Sequence, residues 1–326
     1  MKKKFFSTFY FKLSTLFIFS IIVDYFWLNY TNSGIGWDQG YHLSNIFKMY
    51  NIYNFYNDNY QNLWTNLLKV TDSYRGPLTY FLSSIFLKIF GVSYKNSYLS
   101  NHIFNLICIY SIFELGKIIF NKSVGLWAAI IFTFSPLIFA HRTDYLIDLS
   151  LTAFCTLTFL FITKWLLAKG KIISIYSLLT GLSFGFIFLV KPTGIVLLVL
   201  PFLVVVSLRI YNSKNKFLTL GELTLFFSSF LLIIYPWFSK NWLTIISSIV
   251  NAWQWGIKYQ RGFEISDLSS WFFYVFRVPN ITGQTFFWIL STIFLYRFFY
   301  IKSDPVFAIK TSKKINILYL SFFFNV

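Results

Sequence analysis

Residues 149–190 read LSLTAFCTLTFLFITKWLLAKGKIISIYSLLTGLSFGFIFLV. Two apolar runs, 149–168 and 172–190, flank the basic triplet Lys169-Gly170-Lys171. Each run has about the 20 residues that an α-helix needs to cross the hydrocarbon of a bilayer. The triplet, basic and free of acid, belongs on the cytoplasmic side by the positive-inside rule. The same pattern continues outward in both directions, with runs at 9–28, 98–116, 124–140, 194–211, 217–238 and 283–301. The expected fold is therefore an all-α polytopic membrane protein, one transmembrane domain over 1–326 with eight or nine helices.

Composition agrees. Of 326 residues, 56% are hydrophobic and 23% aromatic, and only 12% are charged, against roughly a quarter charged in soluble domains. The run behind Met1-Lys2-Lys3-Lys4 lacks a small-residue cleavage site and is too long for a signal-peptide core, so it reads as the first spanning helix. Cys108 and Cys155 both sit inside apolar runs, which argues for packing and against a disulfide framework. The net charge of +17 comes in short clusters between the runs. That distribution fits membrane orientation and anionic-lipid contact, and no nucleic-acid partner is expected.

The clusters set the sidedness. MKKK (1–4), GKIIFNKS (116–123), KGK (169–171), RIYNSKNK (209–216) and YRFFYIK (296–302) are nearly free of acid and read as cytoplasmic. The chain is thus expected to be a multi-pass protein of the cytoplasmic membrane with its N-terminus inside. The extracytoplasmic segments are then about 29–97, 140–148, 190–194 and 239–282. PLTYFLSSIFLKIF (77–90) is apolar but only 14 residues long and carries Lys88. Were it to span, every later basic cluster would change sides, so it is expected as an amphipathic helix on the outer leaflet.

Acidic residues collect on the outward side: Asp38, Asp58, Asp72, Asp144, Asp148, Glu264 and Asp267. Asp38, in GIGWDQGYHL (34–43), follows the first span closely, at a depth where carboxylates are functional, paired or hydrated; Gly36 and Gly40 also suit an ordinary turn. Asp144 and Asp148 are spaced to share one face at the start of a helix, behind His141 and Arg142. Arg75 precedes a Gly76-Pro77 turn, where a guanidinium is placed to hold a lipid phosphate by two parallel hydrogen bonds. Lys191 ends an apolar run on the same side. Headgroup snorkelling is the plainer account of both cations. His42, His102 and His141 could hold a divalent metal with Asp38 or Asp148, but none shows metal-ligand spacing, and no cofactor is expected.

In their order, WDQGY (37–41), YRGPLTYF (74–81), SPLIFAHRTDYLIDLSLTAF (135–154), LVKPTG (189–194) and YPWFSKNW (235–242) resemble the GT-C glycosyltransferases. The nearest branch is the family 39-like group of protein O-mannosyltransferases and lipid A aminoarabinose transferases. The resemblance implies transfer of a hexosyl or pentosyl group, with inversion, from a polyprenyl-phosphate donor to a hydroxyl of a lipid, glycan or protein acceptor, outside the cytoplasmic membrane and with no cofactor. It implies Asp38 as general base, Asp148 as a second catalytic residue that orients the acceptor or polarises the site, and Arg75 and Lys191 as phosphate contacts. Tyr41, Asp144 and Arg142 are further candidate substrate-binding residues. Three positions depart from the family: Gln39 stands where Glu is frequent, Tyr41 where many members carry Arg, and Gly76 where the first proline of Pro-Pro-Leu is expected. Residues 315–326, INILYLSFFFNV, begin a ninth apolar run that stops short of a span, so a truncated C-terminus is expected. A transporter or flippase of lipid-linked glycans, or an inactive membrane fragment, is the competing reading. Against transport, no internal repeat is present, and Asp24 and Glu114 stand near helix ends rather than at the midplane.

Overall fold

A computed structural model describes residues 2–31, 35–55, 66–68, 75–170, 172–213, 216–259, 277–284, 287–289, 291–292 and 318. Among these the chain is helical and contains no β-strand. The main helices are α1 (Lys2–Tyr30), α2 (Trp37–Phe55), α3 (Leu78–Phe90), α4 (Tyr94–Ser97), α5 (Leu99–Ile119), α6 (Lys122–Phe134), α7 (Pro136–Thr143), α8 (Asp148–Leu167), α9 (Ile172–Val190), α10 (Val196–Asn212) and α11 (Lys216–Tyr259). Among the described residues six stretches are long and apolar enough to span a membrane, and a seventh is formed if the bent pair α6 and α7 is one span. The first seven expected runs are thus helices. The eighth, 283–301, is described only in part, the ninth, 315–326, only at 318, and Asp58, Asp72, Glu264 and Asp267 lie outside the described residues.

Three elements differ from the expectation. The run 124–140 is not one straight span: it bends by 59° between α6 and α7. Pro136 has no N–H to continue the helix, and Ser135 before it is extended at φ −60, ψ 130, as the proline ring demands. The segment from 239 is helical as far as Tyr259, because α11 runs on through Pro236. The third difference concerns α3. Its buried face is the polar one, Thr79, Tyr80, Ser83, Ser84 and Leu87, while Ile89 and Phe90 are exposed. Hydroxyls that find no water in an apolar layer must pair inside the protein. Thr79 bonds Ser150 of α8 at 2.7 Å, Ser83 bonds Ser100 of α5 at 2.6 Å, and Ser83 also bonds Tyr145.

The bundle is held by close helix contacts and aromatic packing. Cβ atoms at Gly116 of α5 and Gly125 of α6 would collide with the facing backbone, at 2.6 and 2.4 Å, so these helices touch backbone to backbone. Phe184, Phe202 and Phe226 join α9, α10 and α11, with the last two rings stacked at 4.4 Å.

The two ends of the bundle differ in chemistry. At one end Glu114 accepts from Lys117 at 2.5 Å and from Tyr10 at 3.3 Å, with Lys164 at 3.8 Å. Nearby, Glu222 pairs with Arg209 at 2.7 Å and accepts from the indole of Trp165 at 2.9 Å. Both acids there are neutralised by bases. The other end holds the start of α8 and the end of α9, which come together because Phe154 and Phe186 pack at 5.2 Å. Asp144, Asp148, Arg75 and Lys191 belong to this second end.

Candidate active site

Helix α2 supplies the first wall. Gly36 caps it, and Gln39 reaches back so that its Oε1 accepts the Gly36 N–H at 2.7 Å, half of a capping box. Asp38 therefore stands in the first helical turn and not in a free turn, where the helix dipole favours a carboxylate. It is exposed. Three, four and seven residues on, Tyr41, His42 and Asn45 share its face. His42 is buried, and its Nδ1 meets the Tyr80 hydroxyl of α3 at 2.7 Å.

Arg75 joins this face. Its guanidinium lies over the Tyr41 ring, 5.4 Å from the centroid, a cation–π arrangement. The next residue fixes where Arg75 sits. The Gly76 N–H donates to the Val190 carbonyl at 2.9 Å, and a Cβ at Gly76 would fall 1.9 Å from the Leu189 oxygen. Only glycine permits that approach. Arg75 and Lys191 consequently flank one backbone hydrogen bond, although they are far apart in the chain.

Lys191 is half-buried and extended, at φ −155, ψ 108, and opens the turn Pro192–Ile195. That turn rests on α8, since a Cβ at Gly194 would strike Leu151 at 2.5 Å. Leu151 lies one turn from Asp148, a half-buried residue in the first turn of α8. The Thr79–Ser150 bond draws α3 to the same turn. Asp148, Lys191, Arg75 and Tyr41 are thus brought into one neighbourhood by four separate contacts.

Asp144 enters it differently from the sequence expectation. It is not on a helix face with Asp148; it caps α7 in an extended conformation, φ −102, ψ 142, and three residues separate it from α8. Burial raises its pKa above the usual carboxylate range, and His141 together with a hydrogen bond from Gln39 pulls it partly back. Because the Gln39 oxygen is engaged by Gly36, its amide N–H₂ must be what Asp144 accepts. A carboxylate at position 39 could not make that bond, which gives the Gln39 departure a local purpose. It also ties Asp144 to the residue beside Asp38.

Arg142 is the candidate that the structure does not bring to this group. Its side chain is fully buried and forked onto Asp24 of α1, Nε to Oδ2 at 2.8 Å and Nη2 to Oδ1 at 2.9 Å, with Nη1 donating to the Thr133 carbonyl. All its donor directions toward those groups are inside the bundle, so it is a structural cation and not a substrate contact. The histidines are dispersed: His42 on Tyr80, His102 3.8 Å from Asp24, His141 beside Asp144. Among the described residues no three His, Cys, Asp or Glu side chains form a metal-binding group.

Gln39, Tyr80, Asn101 and the α3 hydroxyls escaped the sequence reading. The spacing of Thr79, Ser83 and Tyr80, Ser84 at four-residue intervals is the signal that marks a polar helix face.

The model of one protein family, dolichyl-phosphate-mannose-protein mannosyltransferase, matches residues 74–237, half of the chain. The chain belongs to this family. The matched stretch begins beside Arg75 and ends at Trp237, so it contains Asp144, Asp148 and Lys191 as well as α3 through the first half of α11. Nothing among curated proteins or solved structures matches the chain. As a member of the mannosyltransferase family, the protein is a multi-pass membrane glycosyltransferase of the GT-C type.

Proposed function

We propose that the protein moves a sugar from a polyprenyl-phosphate carrier to an acceptor hydroxyl, with inversion, on the outer face of the cytoplasmic membrane. The observation that carries this reading is the placing of Arg75 and Lys191 on either side of the Gly76–Val190 hydrogen bond. That backbone bond supports assigning both cations, with Asp38, Asp144 and Asp148, to one end of the bundle. The sidedness is supported by the positive-inside rule applied to the opposite end, where Lys117 and Lys164 lie on Glu114 and Arg209 on Glu222.

In the step itself, Asp38 takes the proton of the acceptor hydroxyl as its oxygen attacks the anomeric carbon. The bond from that carbon to the phosphate oxygen breaks, and both its electrons leave with the phosphate. The carrier changes from a phosphodiester to a monoester and gains negative charge. Arg75, braced on Tyr41, and Lys191 stabilise that developing charge, which is where electrostatic catalysis has most effect. Asp148 and Asp144 orient the acceptor. Arg142 has no part in binding and is omitted from the substrate contacts. The acceptor hydroxyl belongs to a lipid, glycan or protein, and the transferred group is a hexosyl or pentosyl residue.

The test is transfer from a panel of radiolabelled polyprenyl-phosphate sugars by the purified protein and its Asp38→Asn variant. Loss of a general base lowers the rate by about 10²–10⁴-fold, and donor binding stays intact. Equal rates in variant and parent remove Asp38 as the base. A properly folded parent that transfers from no donor removes the reaction.

A further inference from the structure

Asp24 and Arg142 lie 118 residues apart and are both buried inside the helix bundle, at 0% and 1% exposure. A buried ion pair is a poor source of stability, because desolvation offsets most of the attraction and an apolar pair of like size often does as well. Its use must be sought in what it holds. Arg142 sits at the end of α7, two residues before Asp144. Its third contact, to the Thr133 carbonyl, takes an acceptor left open where Pro136 interrupts α6. One guanidinium thus joins α1, the break in α6 and the end of α7. From the other side, Asn101 of α5 donates to the Arg142 carbonyl at 3.1 Å, with the His141 and Asp144 carbonyls at 3.5 Å. His102, next in the chain, lies 3.8 Å from the same Asp24 carboxylate. The short segment 143–148, which carries both Asp144 and Asp148, is held at its root by these contacts and at its tip by Gln39 and the Thr79–Ser150 bond.

We propose that Asp24 and Arg142 are positioning residues of the transfer site, a buried clamp that sets the depth and angle of the 143–148 corner so that its carboxylates face the acceptor. The reaction half of this inference rests on the proposed function; the geometric half does not. The forked geometry is essential, since a single contact would leave the corner free to rotate about it. Lysine at 142 keeps the charge and loses the fork.

The test separates the two halves. A cysteine is introduced at Leu146, in the corner, and in a second protein at Thr193, in the turn after α9. Each is labelled with a charged, membrane-impermeant thiosulfonate, with the parent bearing only Cys108 and Cys155 as background. The variants are Arg142→Lys and the neutral pair Asp24→Asn with Arg142→Gln, which leaves no unpaired buried charge and is expected to fold. Loosening the corner speeds labelling at 146 on the order of tenfold, as local opening exposes the thiol, while labelling at 193 stays within about twofold of the parent. In transfer assays the neutral pair lowers kcat by about 10²-fold, the size of effect expected from a misplacement of roughly 1 Å, with donor KM little changed because Arg75 and Lys191 are untouched. Unchanged labelling at 146 in both variants overturns the clamp. So does faster labelling at both positions alike, which reports general loosening. Faster labelling at 146 alone, in a protein that transfers from no donor, upholds the clamp and overturns the proposed reaction. Should the neutral pair fail to accumulate, Arg142→Lys carries the test.

Discussion

Gly76→Ala isolates the meeting of Arg75 and Lys191 without touching either cation. The added Cβ would fall 1.9 Å from the Leu189 oxygen and 2.3 Å from its carbon. Ordinary carbon–oxygen contact begins near 3.3 Å, so the 75–77 turn must retreat from the end of α9 by about 1.5 Å. Backbone on one side and backbone on the other leaves no flexible side chain to yield. The Gly76–Val190 hydrogen bond at 2.9 Å is lost in the process, which removes about 1 kcal/mol, and residual overpacking adds about 1–3 kcal/mol. The functional effect is larger in proportion. A misplacement of this size is expected to lower kcat/KM by about 10²-fold, because a phosphate held by Lys191 would no longer meet the Arg75 fork. Transfer kinetics over a range of donor concentration, with thermal denaturation in detergent as the control for folding, measure both. A Gly76→Ala protein with parental donor affinity and rate would refute the claim that these two cations act on one phosphate.

Three further outcomes follow from the same geometry. Arg75→Ala should lower kcat by about 10²–10³-fold and Arg75→Lys by about tenfold; a lysine variant equal to the parent would exclude the forked contact. Thr79→Val removes the 2.7 Å bond to Ser150 with little change of shape, and should lower stability by about 1 kcal/mol in a denaturation series; no change would mean that the α3 hydroxyls are not paired as described. Asp144 has a folded pKa above its unfolded one, since burial outweighs His141 and Gln39. The folded chain therefore holds that proton more tightly, and its contribution is full at low pH and declines as pH rises from about 4 through the raised value. Asp144→Asn should abolish this decline, so melting temperatures of parent and variant in detergent diverge as pH rises; parallel curves would contradict the raised pKa.

Much of the helical plan can be read from apolar run length, because a bilayer imposes one dimension on every span. The start of α8 at Asp148 and the turn before α3 were likewise legible, through a charge ahead of an apolar run and through Gly76-Pro77. What the chain hides is long-range pairing. Nothing near Asp24 in sequence announces Arg142, and an arginine beside two aspartates reads naturally as their partner. The inward hydroxyl face of α3 was hidden for a related reason: an apolar 14-residue segment with Lys88 looks like a surface helix when water is assumed on its polar side. In a bundle the polar side is where the protein is. The bend at Pro136 was locally encoded, in a Ser-Pro step, but a run of adequate length conceals it.

The Asp24–Arg142 pair also has a consequence for biogenesis. Ribosomes deliver α1 to the membrane more than a hundred residues ahead of Arg142. Until that arginine arrives, α1 carries an acid into the apolar layer alone, at a penalty of up to about 3 kcal/mol on insertion scales. That penalty favours a nascent helix that holds Asp24 near the headgroups and settles to its final depth when α7 enters. Order of synthesis and order of assembly are then different: the first helix made is among the last to reach its place.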